Sequence, residues 1–258
     1  FGGGILASGT YVALNGSAID FDGRAVTTLA ANTTVTLSGP GSVFAAVDGL
    51  TANNGTFNVV AGRTFTVAGG TLTNAGTLTV GQTAGDGSTL TGNVVVSGGG
   101  LLRGTGTVAG GMTVNGGTLA PGVGPGLLTV TGAVTLAGGA TFAAELNGAT
   151  AGPGYDQLRL AGGGSIDLGG ATLATTLAYA PTDADGFTIV SGGPVSGTFA
   201  GLPNGAAVSL GTFGGVAYSR VIVYGPTSVV LIPVPEPAHV LLACAAAAAA
   251  AGRWRRKA

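Results

Sequence analysis

The chain has 258 residues, of which 52 are glycine and only 7% are charged, and its mean hydropathy is +0.55. Glycine at this level without a strict three-residue period excludes collagen, and the apolar balance excludes a solvated disordered chain. Leaving out the last six residues, five arginines face ten acids, so the body carries about −5 with no basic stripe, and no nucleic-acid partner is expected.

The chain opens at Phe1 with no methionine and no basic segment followed by an apolar one. An exported protein of this sequence requires a signal peptide upstream, and the chain therefore reads as a fragment. The apolar residues are mainly Val and Leu interleaved with Thr, which are strand formers, and no segment before Ala238 carries a helical period.

From Leu50 to about Leu146 one theme recurs: five or six residues of apolar and Thr alternation, then Gly or Asn-Gly. Asn54-Gly55-Thr56-Phe57 is followed by Asn74-Ala75-Gly76-Thr77-Leu78 and by Asn115-Gly116-Gly117-Thr118-Leu119, with Thr64-Phe65-Thr66-Val67, Asn93-Val94-Val95-Val96 and Met112-Thr113-Val114 between them. The spacing from Gly55 to Gly76 is 21 residues, the length of one solenoid coil, although the period drifts. Residues 1–146 are accordingly expected to form a Gly/Thr-rich parallel β-helix, with alternate side chains stacking inward and glycine at the corners.

Leu101-Leu102-Arg103-Gly104-Thr105-Gly106-Thr107-Val108, Gly117-Thr118-Leu119-Ala120-Pro121-Gly122 and Pro125-Gly126-Leu127-Leu128-Thr129-Val130-Thr131-Gly132 resemble the autotransporter-associated β-strand repeat. The similarity continues through Tyr155-Asp156-Gln157-Leu158, Gly170-Ala171-Thr172-Leu173, Phe187-Thr188-Ile189-Val190 and Gly197-Thr198-Phe199, and covers roughly residues 50 to 232. It implies an extracellular β-helix that ends in a β-rich cap. Residues 147–232, with more apolar strands and turn prolines at Pro153, Pro181 and Pro203, are read as that cap, because an open solenoid end exposes unpaired strand edges.

Residues 233–258 differ in kind. Prolines at 233, 235 and 237 hold the chain extended, and Pro237 suits the first position of a helix with Glu236 near its positive end. From Ala238 to Gly252 the chain is uncharged, and Leu241, Leu242 and the alanines through Ala251 predict a helix. Fifteen residues span roughly 22 Å, a marginal membrane anchor against a hydrocarbon core of about 30 Å. Arg253, Arg255, Arg256 and Lys257 place the C-terminus on the cytoplasmic side and the body across the membrane, with Trp254 suited to the interface.

The order Val234-Pro235-Glu236-Pro237, apolar helix, basic tail resembles the PEP-CTERM sorting signal of Gram-negative bacteria that make exopolysaccharide. The resemblance implies that Val234, Pro235, Glu236 and Pro237 are recognised by an exosortase-like membrane protease, which removes the tail and passes the protein from the inner membrane to the surface or matrix. The competing reading is an Ala-rich helix closing a soluble domain. Such a helix needs a polar stripe, and only His239 and Cys244 interrupt the apolar run.

Catalytic patterns are sparse. The single histidine, His239, lies in the tail, so the body has no Ser-His-Asp set and no histidine metal cluster. Cys244, in the same run, leaves no intrachain disulfide; it reads as a small apolar residue, with acylation as the alternative. Asp183-Ala184-Asp185-Gly186 lacks the later ligands of an EF-hand, Gly162-Gly163-Gly164-Ser165-Ile166-Asp167 misses a glycine of the calcium nonapeptide, and both read as turns. Gly122-Val123-Gly124-Pro125-Gly126 fails as a phosphate loop because no helix follows.

The sequence therefore predicts an all-β solenoid with a β-rich cap and a single C-terminal transmembrane helix. Its expected role is structural or adhesive, with no cofactor and no metal, and with extracellular polysaccharide as the partner that a Thr/Asn surface suits. The alternative is a polysaccharide lyase or hydrolase on the same scaffold, for which acids one coil apart would have to converge near an arginine. A true autotransporter would instead end in a β-barrel with a terminal aromatic residue, whereas this chain ends Arg-Arg-Lys-Ala.

Overall fold

A computed structural model describes residues 2–234, and they form an all-β solenoid. The one helical element among them is a short 3-10 turn, Ala45–Gly49. Pro235 to Ala258 lie outside the described residues, and with them the expected membrane helix. Among the described residues no helix is long and apolar enough to cross a membrane.

The chain winds through three parallel ladders. Face I stacks the second halves of Ile5–Ala13 and Thr28–Ser38, then Thr56–Val60, Thr77–Val80, Leu101–Arg103, Thr118–Ala120, Thr141–Leu146 and Thr172–Leu177. Face II stacks the first halves of Thr64–Asn74 and Thr89–Ser97, then Thr107–Ala109, Leu127–Val130, Gln157–Leu160 and Phe187–Ser191. Face III takes the later halves of those two long strands, then Met112–Asn115, Val134–Leu136, Ile166–Asp167 and Val195–Ser196. From Thr56 to Ser196 each coil visits the three faces once.

Alternation of apolar and Thr residues is what makes these strands. One parity points inward and is buried, the other points to solvent. Val35, Phe57, Leu78, Leu102, Leu119 and Phe142 form one continuous inward column on face I, all fully buried. Phe65, Leu90, Val108, Val130 and Leu160 form its counterpart on face II. Each such side chain contributes about 1.5–3 kcal/mol of burial relative to exposure. Outward, Thr10, Thr34, Thr56, Thr77, Thr118, Thr141 and Thr172 share one column on face I, interrupted by Leu101.

The corner between faces III and I is polar inside. Asn53 and Asn74 are in register one coil apart and fully buried. Asn53 Nδ2 donates to Asn74 Oδ1 at 2.7 Å and to the Thr77 carbonyl at 3.0 Å, while Asn74 Nδ2 donates to the Leu101 carbonyl at 2.9 Å. The amides thus link three successive coils. Gly76 sits where they meet: a Cβ there would lie 2.0 Å from the Gly55 carbonyl oxygen, so no larger residue fits.

Coil length is not constant. Aligned pairs such as Leu102 and Leu119, or Leu158 and Val190, place successive coils 17 to 32 residues apart. The variation is taken up in turns, which leaves the ladders in register. Parallel winding continues through residue 146, where the sequence places a change of module, and reaches Val195–Ser196. The closing structure is antiparallel: Ser228–Ile232 pairs with Phe187–Ser191 and with Val216–Gly225, which pairs with Ala207–Phe213. Thr175 Oγ1 donates to the Ser209 carbonyl at 2.9 Å, tying this sheet back to face I across the end of the solenoid. At the opposite end Tyr11, Phe21 and Phe44 pack ring against ring with centroids 5.0–5.9 Å apart.

Replacing Asn74 by Ala strips partners from the Asn53 amide and the Leu101 carbonyl and is expected to cost about 1–3 kcal/mol in urea unfolding. Thr73→Ala, on the neighbouring outward position, is expected to stay within about 0.5 kcal/mol.

Candidate functional site

The outward column beside the Thr column of face I carries different chemistry. Thr36, Asn58, Thr79 and Arg103 occupy equivalent positions on four successive strands. Asn58 Nδ2 donates to Thr36 Oγ1 at 3.0 Å, and Arg103 Nε donates to Thr79 Oγ1 at 3.4 Å. Among the described residues the terminal guanidinium nitrogens of Arg103 have no partner, neither carboxylate nor carbonyl. With Gln82 and Val123 these residues line a cleft of about 180 Å³.

Its walls are corner loops. The turn carrying Gln82 is organised by Asp86, whose carboxylate accepts N–H bonds from Gln82 at 2.8 Å, Ser88 at 2.9 Å and Ala61 at 3.3 Å. Burial opposes the charge, but these donors together with the Ser88 hydroxyl hold the Asp86 carboxyl below the usual range.

The other wall, carrying Val123, is the loop from Pro121 to Gly126. It is fastened from the next coil by Asp156, which is 1% exposed and accepts from Gly126 N at 2.8 Å and from Glu145 N at 2.9 Å. Gly122 makes room for this contact, since a Cβ there would stand 2.4 Å from Asp156 Oδ1. Burial pushes the Asp156 carboxyl up to about 7; the two N–H donors work the other way, and the nearby Glu145 charge adds to the rise.

The other acids are spread out. Asp185 Oδ2 accepts from Thr182 N at 2.7 Å and from the Tyr179 hydroxyl at 3.3 Å, and the Asp185 and Thr182 carbonyls both accept from Arg220. The Asp183-Ala184-Asp185-Gly186 segment is therefore a turn clasped by a buried arginine. Asp167 Oδ1 likewise accepts from Gly169 N at 3.1 Å within its own turn. Among the described residues no three His, Cys, Asp or Glu side chains gather as a metal site.

Of the residues predicted to act in sorting, only Val234 is described, exposed just beyond the last strand Ser228–Ile232. Pro235, Glu236, Pro237, Ala238, Leu241, Leu242, Ala251, Arg253, Arg255, Arg256 and Lys257 lie outside the described residues, as do His239 and Cys244. The cleft itself went unanticipated. Thr-x-Thr or Thr-x-Asn spacing marks the strands of Thr36, Asn58 and Thr79 in the sequence, but Leu101-Leu102-Arg103 lacks it and unequal coil lengths conceal which residues align. No family model, curated protein or solved structure matches this chain.

The folded Asp156 carboxyl keeps its proton to about pH 7, whereas the unfolded chain releases it near the ordinary 3.8, so the unfolded state binds fewer protons in that window. The contribution to stability is full below about pH 4, declines as pH rises toward 7 and is level above it. Melting midpoints measured across this range should show that slope, and Asp156→Asn should flatten it.

Proposed function

We propose that this chain is an exported, non-enzymatic protein of the cell surface or extracellular matrix, with a structural or adhesive role. In this reading Ala238 to Gly252 anchors it briefly in the inner membrane of a Gram-negative bacterium. Arg253, Arg255, Arg256 and Lys257 remain cytoplasmic, and an exosortase-like protease recognises Val234-Pro235-Glu236-Pro237. The observation that carries the reading is the order of the tail, in which a proline-fenced acid, an uncharged Ala/Leu run and a cluster of cations follow one another.

The described fold supports it in two ways. Val234, the first residue of the sorting motif, is exposed directly after the closing strand. The outward columns are hydroxyl-rich, and among the described residues the cleft on face I is lined by one cation and no carboxylate, a lining suited to binding polyols rather than to the acid-assisted cleavage of a lyase or hydrolase.

Mass spectrometry of the C-terminus of protein recovered from medium and cell fractions tests the proposal. A new end between Pro235 and Ala238 on surface or secreted material is expected. An intact Ala258 on secreted protein, or a body confined to the cytoplasm, would overturn it.

A further inference from the structure

We infer that the cleft on face I is a binding site for a linear acidic glycan, with Arg103, positioned by Thr79, holding a uronate carboxylate and Thr36 and Asn58 meeting sugar hydroxyls. The inference rests on the extracellular reading above and gives it a ligand class.

The geometry has three parts. The column from Thr36 to Arg103 crosses three strand gaps, about 14 Å at the usual parallel spacing, and runs along the solenoid axis. An extended polymer laid along it meets Thr36, Asn58 and Arg103, while Thr79, 3% exposed, holds Arg103 in place. Beside it Thr34, Thr56 and Thr77 continue the hydroxyl surface, and Leu101 offers an apolar patch for a ring face.

The polar groups are arranged to receive a ligand. Arg103 is half-buried and its Nε is occupied by Thr79, which fixes the plane of the guanidinium. The terminal N–H groups are left over, and this edge matches a carboxylate bidentately. The Asn58 amide is oriented by its bond to Thr36, which leaves its carbonyl oxygen to accept from a hydroxyl.

Charge decides between an acidic and a neutral glycan. The body carries a net excess of acid, so it does not adsorb polyanions in general. Asp86, in the wall that carries Gln82, already accepts three backbone N–H bonds, and Asp156, behind the other wall, accepts two. Attraction for an anion is therefore local to Arg103, and it requires a ligand that brings one carboxylate to that point while hydrogen-bonding along the rest of the column. Polyuronates have this chemistry.

The test is calorimetric titration of the full chain, purified in mild detergent, with hexagalacturonate, and with cellohexaose as the neutral oligomer of equal length. Saturable binding of hexagalacturonate is expected, with cellohexaose markedly weaker. Arg103→Gln should weaken hexagalacturonate about tenfold or more, with Arg103→Lys intermediate, because a point charge replaces the fork. Arg159→Gln, on face II, should leave binding unchanged, and identical circular dichroism spectra show that the variants are folded. Absent hexagalacturonate binding, equal binding of the two sugars, or equal binding by wild type and Arg103→Gln would overturn the inference. If the sugar fails to bind while the C-terminus proves processed, the cleft assignment falls alone. If it binds while the intact protein stays in the cytoplasm, the export reading falls and the cleft assignment stands.

Discussion

Everything in this molecule depends on strict register between successive parallel coils. A parallel ladder fixes neighbouring strands less than 5 Å apart, so each inward side chain must pack on its counterpart one coil away and each outward side chain must stand beside one. Val35, Phe57, Leu78, Leu102, Leu119 and Phe142 meet the inward demand by apolar packing, and Asn53 and Asn74 meet it by amide pairing. The same register that builds the core writes the surface in columns. Thr36, Asn58, Thr79 and Arg103 come together only because the core residues beside them are aligned.

That constraint also explains the composition. Corners must turn within one or two residues while the next coil passes close by, and Gly76 shows how little space remains. Turns that project outward are released from it, which is why coil length varies without loss of pairing. The two loops that wall the cleft are each held by a carboxylate accepting backbone N–H bonds, Asp86 on one side and Asp156 on the other. Asp86, Asp156, Asp167 and Asp185 are thereby engaged in shaping turns, and among the described residues no three acids gather as a metal site.

A solenoid also has to end. The last parallel coil would present unpaired N–H and C=O groups, and the antiparallel strands from Ala207 to Ile232 cover them by pairing with Phe187–Ser191 and folding back toward Thr172–Leu177. Arg220 locks this closure from inside: 5% exposed, it lies over the Phe187 ring at 5.9 Å and donates to the Asp185 and Thr182 carbonyls. Val234 follows the last strand of that closure and is exposed.

Much of this was legible in the chain itself. Alternation of Val, Leu and Phe with Thr, punctuated by Gly and Asn-Gly, determined an all-β solenoid, because a period of two buries one parity and wets the other. The 21-residue step from Gly55 to Gly76 matched a true coil, as the register of Asn53 with Asn74 shows. Tertiary structure alone decided which residues share a column, how far parallel winding runs past residue 146, and that Arg103 donates to Thr79 with its outer edge unpaired among the described residues. The reason is physical: a sequence displays local period directly, but alignment between coils is set by circuit lengths that vary from 17 to 32 residues, and only the closed ladder reveals them.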